Sequence, residues 1–135
     1  MAKKIRAWVS VALDALNRKA VLLTVRLVDD LEMQKLNKKF RDRLGSTNVL
    51  SFPFQLPPGL PELTPTELGD IVVCLPQVKR EAFEQSKTVE DHLAHIIVHG
   101  VLHLNGFDHH HIKEEKEMQY KERKILESFN ISDPY

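Results

Sequence analysis

The stretch Thr88-Val-Glu-Asp-His92-Leu-Ala-His95-Ile-Ile-Val-His99-Gly-Val-Leu-His103-Leu-Asn-Gly106-Phe-Asp-His109 decides how this 135-residue chain is organised. Thr88 with Asp91 three residues on is a capping-box start, Asp standing in for Glu. The residues that follow (Leu93, Ala94, Ile96, Ile97, Val98, Val101, Leu102, Leu104) are apolar on nearly every side of a helix. Such a helix is the buried centre of a domain. All seven histidines of the chain fall between 92 and 111.

Residues four apart share a helix face, so His99 and His103 point the same way, one turn apart. Gly106 can take the left-handed conformation that ends a helix, and the returning chain brings His109 to the same spot. The pattern H-x-x-x-H-x-x-G-x-x-H thus offers three imidazoles to a divalent transition metal such as zinc. A fourth position stays open for water, as in catalytic rather than structural zinc sites. His95 shares the face of His99 and His103, but a helix rises 1.5 Å per residue, so His95 and His103 stand ~12 Å apart. That excludes both from one ion with His99, and His95 is expected as a supporting residue or a core histidine bonded to backbone. His92 is expected on the helix surface with no assigned role. His110 and His111 read as solvent-exposed, with either available in place of His109. Asp108 has three roles open to it: orienting a ligand imidazole, acting on metal-bound water, or capping the next helix.

Outward from the motif, the chain carries 42% hydrophobic residues, enough for one domain with its own core, expected to span 1–135. The net charge is zero but unevenly spread: residues 1–43 hold 11 Lys+Arg and 5 Asp+Glu, a balance of +6, and residues 44–135 hold the remaining 8 and 14, a balance of −6. A basic face is expected on one side. The single cysteine, Cys74, excludes an internal disulfide framework, fits a reducing, cytoplasmic setting, and reads as a buried structural thiol. No apolar run approaches the ~20 residues that span a membrane. The start, Lys3-Lys-Ile-Arg6 followed by a short apolar run, reads as an amphipathic first helix rather than a leader peptide.

That helix covers 3–18, with Ile5, Trp8, Val9, Ala12, Leu13 and Leu16 inward. Val21–Val28 alternates, Leu23, Val25 and Leu27 on one face and Thr24 and Arg26 on the other, as a half-buried strand. Asp29 or Asp30 caps a helix through about Phe40, carrying Leu31, Leu36 and Phe40 inward. A short strand follows at 47–52. Five of the seven prolines fall in 53–67, which predicts a loop. Gly69–Leu75 is a β-branched run, the mark of a strand buried on both faces. Pro76 opens a helix to about Ser86, and 112–129 form a charged helix with Ile112, Met118, Ile125, Leu126 and Phe129 inward.

The histidine spacing is that of metzincin proteases, which need a Glu beside the first His as general base. Here that position is Gly100, and no methionine suits a Met-turn. Peptide hydrolysis by that route is disfavoured. A metal can still supply the nucleophile by lowering the pKa of bound water from 15.7 to roughly 7. A phosphodiester substrate would further need a cation, best an arginine fork.

Three blocks then resemble the signature of the YbeY family of bacterial single-strand-specific metallo-endoribonucleases. They are His99–His109, the pair Leu36-Asn37 through Phe40-Arg41 with Ser46-Thr-Asn-Val-Leu-Ser-Phe-Pro-Phe54, and Leu68-Gly-Asp-Ile-Val-Val-Cys74. Even the closing Asp133-Pro-Tyr135 is similar to proteobacterial members, and the likeness spans about 24–135. The resemblance implies an α+β fold, a small mixed β-sheet with helices packed on it and a central metal-binding helix; the family's N-terminal edge strand is missing from this sequence, through either a sheet without that strand or a truncated start. It implies zinc, one Zn²⁺ per chain, held by His99, His103 and His109, with Arg41 as the functional arginine near the metal. Lys35, Lys38, Lys39 and Arg43 would guide the RNA backbone. The implied substrates are single-stranded RNA and ribosomal RNA, with roles in 16S rRNA 3′-end processing, ribosome maturation and quality control. The small ribosomal subunit and its assembly factors are the implied partners. The rivals are a metalloprotease-like hydrolase and a ribosome-docking module with a structural metal. Five positions depart from the family pattern: Ser46 replaces a Pro, Phe107 a Tyr, and His110, His111 and Ile112 the acidic residues after the motif.

Overall fold

In the computed structural model, β3 (Thr66–Cys74) is the middle strand of a three-stranded sheet, pairing parallel with β1 (Val21–Val28) and antiparallel with β2 (Val49–Pro53). The structure describes residues 1–18, 21–55, 58–59, 66–108 and 110–135. Ile71, Val72, Val73 and Cys74 are all buried, so both faces of β3 are covered, as its unbroken apolar run predicts. Most of the proline-rich 53–67 segment lies outside the described residues.

One face packs on α4 (Val89–Leu104), whose buried side chains join those of α1 (Ala2–Ala15), α3 (Leu75–Glu84) and α5 (Ile112–Glu127) in the main core. Thr88 caps α4 by accepting from the Asp91 amide at 3.1 Å, and Gly106 turns the chain beyond it at φ +92°. Gly100 makes the close approach possible: a Cβ there would stand 2.9 Å from Ile71 Cγ2.

The other face carries a second, smaller core of Val28, Met33, Leu50, Val72 and Cys74 under α2 (Asp30–Arg41). Because this face is also covered, β1 ends with Val28 buried and Leu27 41% exposed, the reverse of the expected alternation at that end. Asp29 caps α2, accepting from the Glu32 amide at 2.8 Å. The helix, however, turns Met33 and Asn37 fully inward with Leu36 partly buried, while Leu31 and Phe40 are 60% and 49% exposed. A narrow core takes one short stripe of α2, and the buried amide of Asn37 belongs to it because it donates to Gly45 O at 3.2 Å, pinning the turn after the helix. In α5, Ile112 is likewise exposed, and Glu122 occupies a fully buried place in the stripe of Met118, Ile125 and Leu126.

Two predictions arise here. Gly69 sits where the β1–β3 register shifts, at φ +136°, and an added Cβ would overlap Phe52 O and approach Phe54 N to 2.9 Å. Gly69→Ala is expected to cost about 3 kcal/mol and lower Tm by roughly 10 °C, read by calorimetry. Asp30 ties α2 to α3 through Arg80, whose Nη1 and Nη2 donate to its carboxylate at 2.9 and 2.7 Å. The Arg80 hydrogen bonds, helped by Cys74 and Ser46, hold Asp30 at about 2 against an ordinary 3.8. Between those values the unfolded chain binds more protons, so stability rises with pH there. The difference in urea midpoint between wild type and Asp30→Asn is expected to be present at neutral pH and to vanish as the pH falls through about 2.

Candidate metal centre and cleft

Helix α4 delivers His99 and His103 to the floor of a cleft of about 580 Å³, whose other walls come from Arg41, Thr47, Asn48, Val49, Leu50, Ser51, Pro53, Asp108 and His110. Two sequence neighbourhoods sixty residues apart meet because β2 lies over α4 while α2 ends beside β2. His103 Nε2 stands 3.0 Å from His99 Nε2, within hydrogen-bond distance of it. Two imidazoles bound to one tetrahedral zinc at ~2.05 Å hold their nitrogens about 3.3 Å apart, so this pair fits one ion with little adjustment. The third expected imidazole, His109, lies outside the described residues.

His99 is held from behind. Its Nδ1 donates to Glu122 Oε1 at 2.6 Å, which assigns the proton to Nδ1 and leaves the Nε2 lone pair toward the cleft. Glu122 also accepts from His95 Nε2 at 3.0 Å and from the hydroxyl of Tyr135. Burial pushes the Glu122 carboxyl up, but the hydrogen bonds from His95, His99 and Tyr135 outweigh it and hold it at about 2. Burial and the adjacent carboxylate push the Tyr135 hydroxyl up in turn, keeping it a donor. Among the described residues, His95, His99 and Glu122 bring their ligand atoms within 4.8 Å of one another and could hold a metal. We read that trio as the support of His99: the carboxylate is fully buried and already receives three hydrogen bonds, whereas His99 and His103 open on the cleft. His95 is thus bonded to a side chain rather than to backbone.

His92, expected on the surface, is 3% exposed, its Nε2 2.8 Å from Glu81 Oε1. Glu81 accepts as well from Asn48 Nδ2 at 3.0 Å and from Gln77 at 3.2 Å. Burial raises the Glu81 carboxyl, and His92, Asn48 and Gln77 together bring it below its usual range. The chain from His92 through Glu81 fixes Asn48, which lines the cleft. His110 and His111 are exposed, as expected, and His110 Nε2 lies 3.1 Å from Asp108 Oδ2. Asp108 itself lines the cleft.

Arg41, at the last turn of α2, donates through Nη2 to Ser51 O at 3.0 Å and lies with its guanidinium carbon 5.4 Å from the Phe52 ring centre. A guanidinium held on the wall of a cleft that also holds two imidazoles suits an anion bound in that cleft. The position where metzincin proteases carry their Glu is Gly100, and a side chain there would crowd Ile71, whose Cγ2 would stand 2.9 Å from an added Cβ. Glu122, Glu81 and Asn48 were not expected from sequence. The signal for Glu122 was a lone acid four residues after Met118 on an otherwise apolar stripe.

Comparison with known proteins finds relatives over nearly the whole chain. The family model described as Endoribonuclease YbeY matches residues 1–130. A protein of Alkalilimnicola ehrlichii named Endoribonuclease YbeY is 53% identical over 131 residues, covering 96% of this chain and 78% of that protein. One of the same name from Halorhodospira halophila is 48% identical over 134 residues, 99% and 86% of the two chains. The solution structure of a Thermotoga maritima protein superposes with a TM-score of 0.64 at 31% identity, covering 93% of this chain and 78% of that one.

Proposed function

Because the chain belongs to the YbeY endoribonuclease family, we propose that it is a zinc-dependent endoribonuclease of one domain, 1–135, that cuts single-stranded RNA. The observation that carries this reading is the facing Nε2 pair of His99 and His103 on the floor of a cleft walled by Arg41. His99, His103 and His109 would hold one Zn²⁺, His109 on the strength of its spacing. When bound, the ion supplies Lewis acidity toward a water and the scissile phosphate.

The chain's own residues do the rest. Glu122 keeps the proton on His99 Nδ1, so that Nε2 can serve as a ligand. Arg41, anchored by Ser51 O, binds the scissile phosphate and stabilises the charge that develops on it. Lys35, Lys38, Lys39 and Arg43 attract the flanking backbone, which makes binding salt-sensitive. Asn48, fixed by Glu81, offers its amide carbonyl to a substrate hydroxyl. The biological setting we propose is the cytoplasm, in 16S rRNA 3′-end processing and ribosome quality control with the small subunit and its assembly factors. The support is the family resemblance together with the basic N-terminal third. No helix among the described residues is long and apolar enough to cross a membrane.

The test is cleavage of labelled single-stranded RNA, duplex RNA and single-stranded DNA by zinc-loaded protein. Single-stranded RNA alone is expected to be cut, with chelation stopping the reaction and added zinc restoring it. DNA cut as fast as RNA, or cleavage indifferent to chelation, would sink the assignment.

A further inference from the structure

Phe40, an expected core residue, is instead half exposed, next in the chain to Arg41, which walls the cleft. Its ring meets that of Phe52 edge-on, centres 5.2 Å apart, and Phe54, two residues further along, is 47% exposed. Cations flank the pair: Lys39 Nζ lies 5.1 Å from the Phe40 ring centre, and Arg41 stands over Phe52. Phe40 is therefore an apolar π surface kept in water at the edge of a basic site. A second hollow of about 540 Å³, lined by Asn37, Arg41, Arg43, Leu44 and Ser46 among others, shares Arg41, Thr47, Val49 and Leu50 with the first. The groove thus continues on both sides of Arg41, and the aromatic pair adjoins that arginine.

We propose that Phe40, braced edge-on by the partly buried Phe52 and joined by the exposed Phe54, forms a stacking face for an unpaired base of the RNA strand whose phosphate Arg41 binds. The inference rests on the nuclease reading and deepens it by naming what selects a single strand. Exposed aromatics beside guanidinium and ammonium groups hold single strands because every base has a π face, while a duplex keeps its bases stacked on one another. Charge complementarity commits the face to nucleic acid: around Phe40, residues 38–43 hold Lys38, Lys39, Arg41 and Arg43 against the single acid Asp42. A protein partner on the same face is the alternative that the test must reject.

The experiment is fluorescence anisotropy with the full chain on two labelled strands of equal length, an ordinary oligoribonucleotide and an abasic ribose-phosphate strand of the same charge. Variants Phe40→Leu, Phe40→Ser and Phe40→Trp are compared. Leu keeps apolar cover without a π face, and Phe40 is exposed enough that all three should fold as wild type. Wild type is expected to bind the base-bearing strand about tenfold tighter than the abasic one. Leu and Ser should erase that preference without changing abasic binding, and Trp should retain it. Equal binding of the two strands by wild type, or Phe40→Leu behaving as wild type, overturns the stacking face and leaves the nuclease reading standing. A wild type that binds neither strand overturns the nuclease reading, and the stacking face with it.

Discussion

His103→Ala is expected to lower RNA cleavage by about 10³-fold or more and to cut bound zinc from one equivalent per chain to a small fraction of that. Both effects follow from one loss: His99 Nε2 keeps its orientation from Glu122 but no longer has the second nitrogen that faces it at 3.0 Å. The two readouts are measured separately, cleavage by gel and metal by elemental analysis after dialysis. Alanine favours the helix and His103 is only partly buried, so far-UV circular dichroism should be unchanged. Full zinc content with full activity would show that His103 is no ligand. Lost activity with full zinc would move the ion to the neighbouring trio of His95, His99 and Glu122. Equal residual cleavage in variant and wild type would expose a contaminating nuclease.

Arg41→Ala is expected to reduce kcat/KM by about 10²–10³-fold while zinc content stays at one per chain. The guanidinium reaches the cleft from a position fixed by Ser51 O and the Phe52 ring, so the phosphate meets a donor that needs no reorganisation. Arg41→Lys should recover only part of the loss, since an ammonium is a point charge without the planar fork. The split between metal and activity is what distinguishes this variant from His103→Ala. Unimpaired cleavage by Arg41→Ala would remove the phosphate clamp. If His103→Ala then also cleaved as wild type, the cleavage would be a contaminant's, and the docking-module rival would gain.

Much of the architecture was legible because local physics wrote it. The Thr88 cap, the all-round apolar helix, the left-handed Gly106 and the unbroken β-branched run before Cys74 each had one low-energy reading, and each is found. Legibility failed where a face had to be assigned on a short element with more than one candidate stripe. In α2 the apolar residues Leu31 and Phe40 lost the core to Met33 and Asn37, because the covered patch beneath the helix is narrow and an amide bonded to Gly45 O costs little to bury. His92 was misplaced for a related reason: a polar ring looks like surface until Glu81 is seen beside it.

Family, layer class, the helix that carries the histidines, and Arg41 as the cation to look for all follow from the order of residues. Spacing along one helix is a covalent fact, so the shared face of His99 and His103 needs no fold to be known. Which groups surround them depends on the packed fold. Glu122 comes from a helix more than twenty residues away, Arg41 from the far side of the sheet's edge, and Phe40 and Phe52 from separate elements. Their meeting depends on how α2 and α5 close over the sheet and α4. That packing is set by the whole core at once and is written in no local pattern.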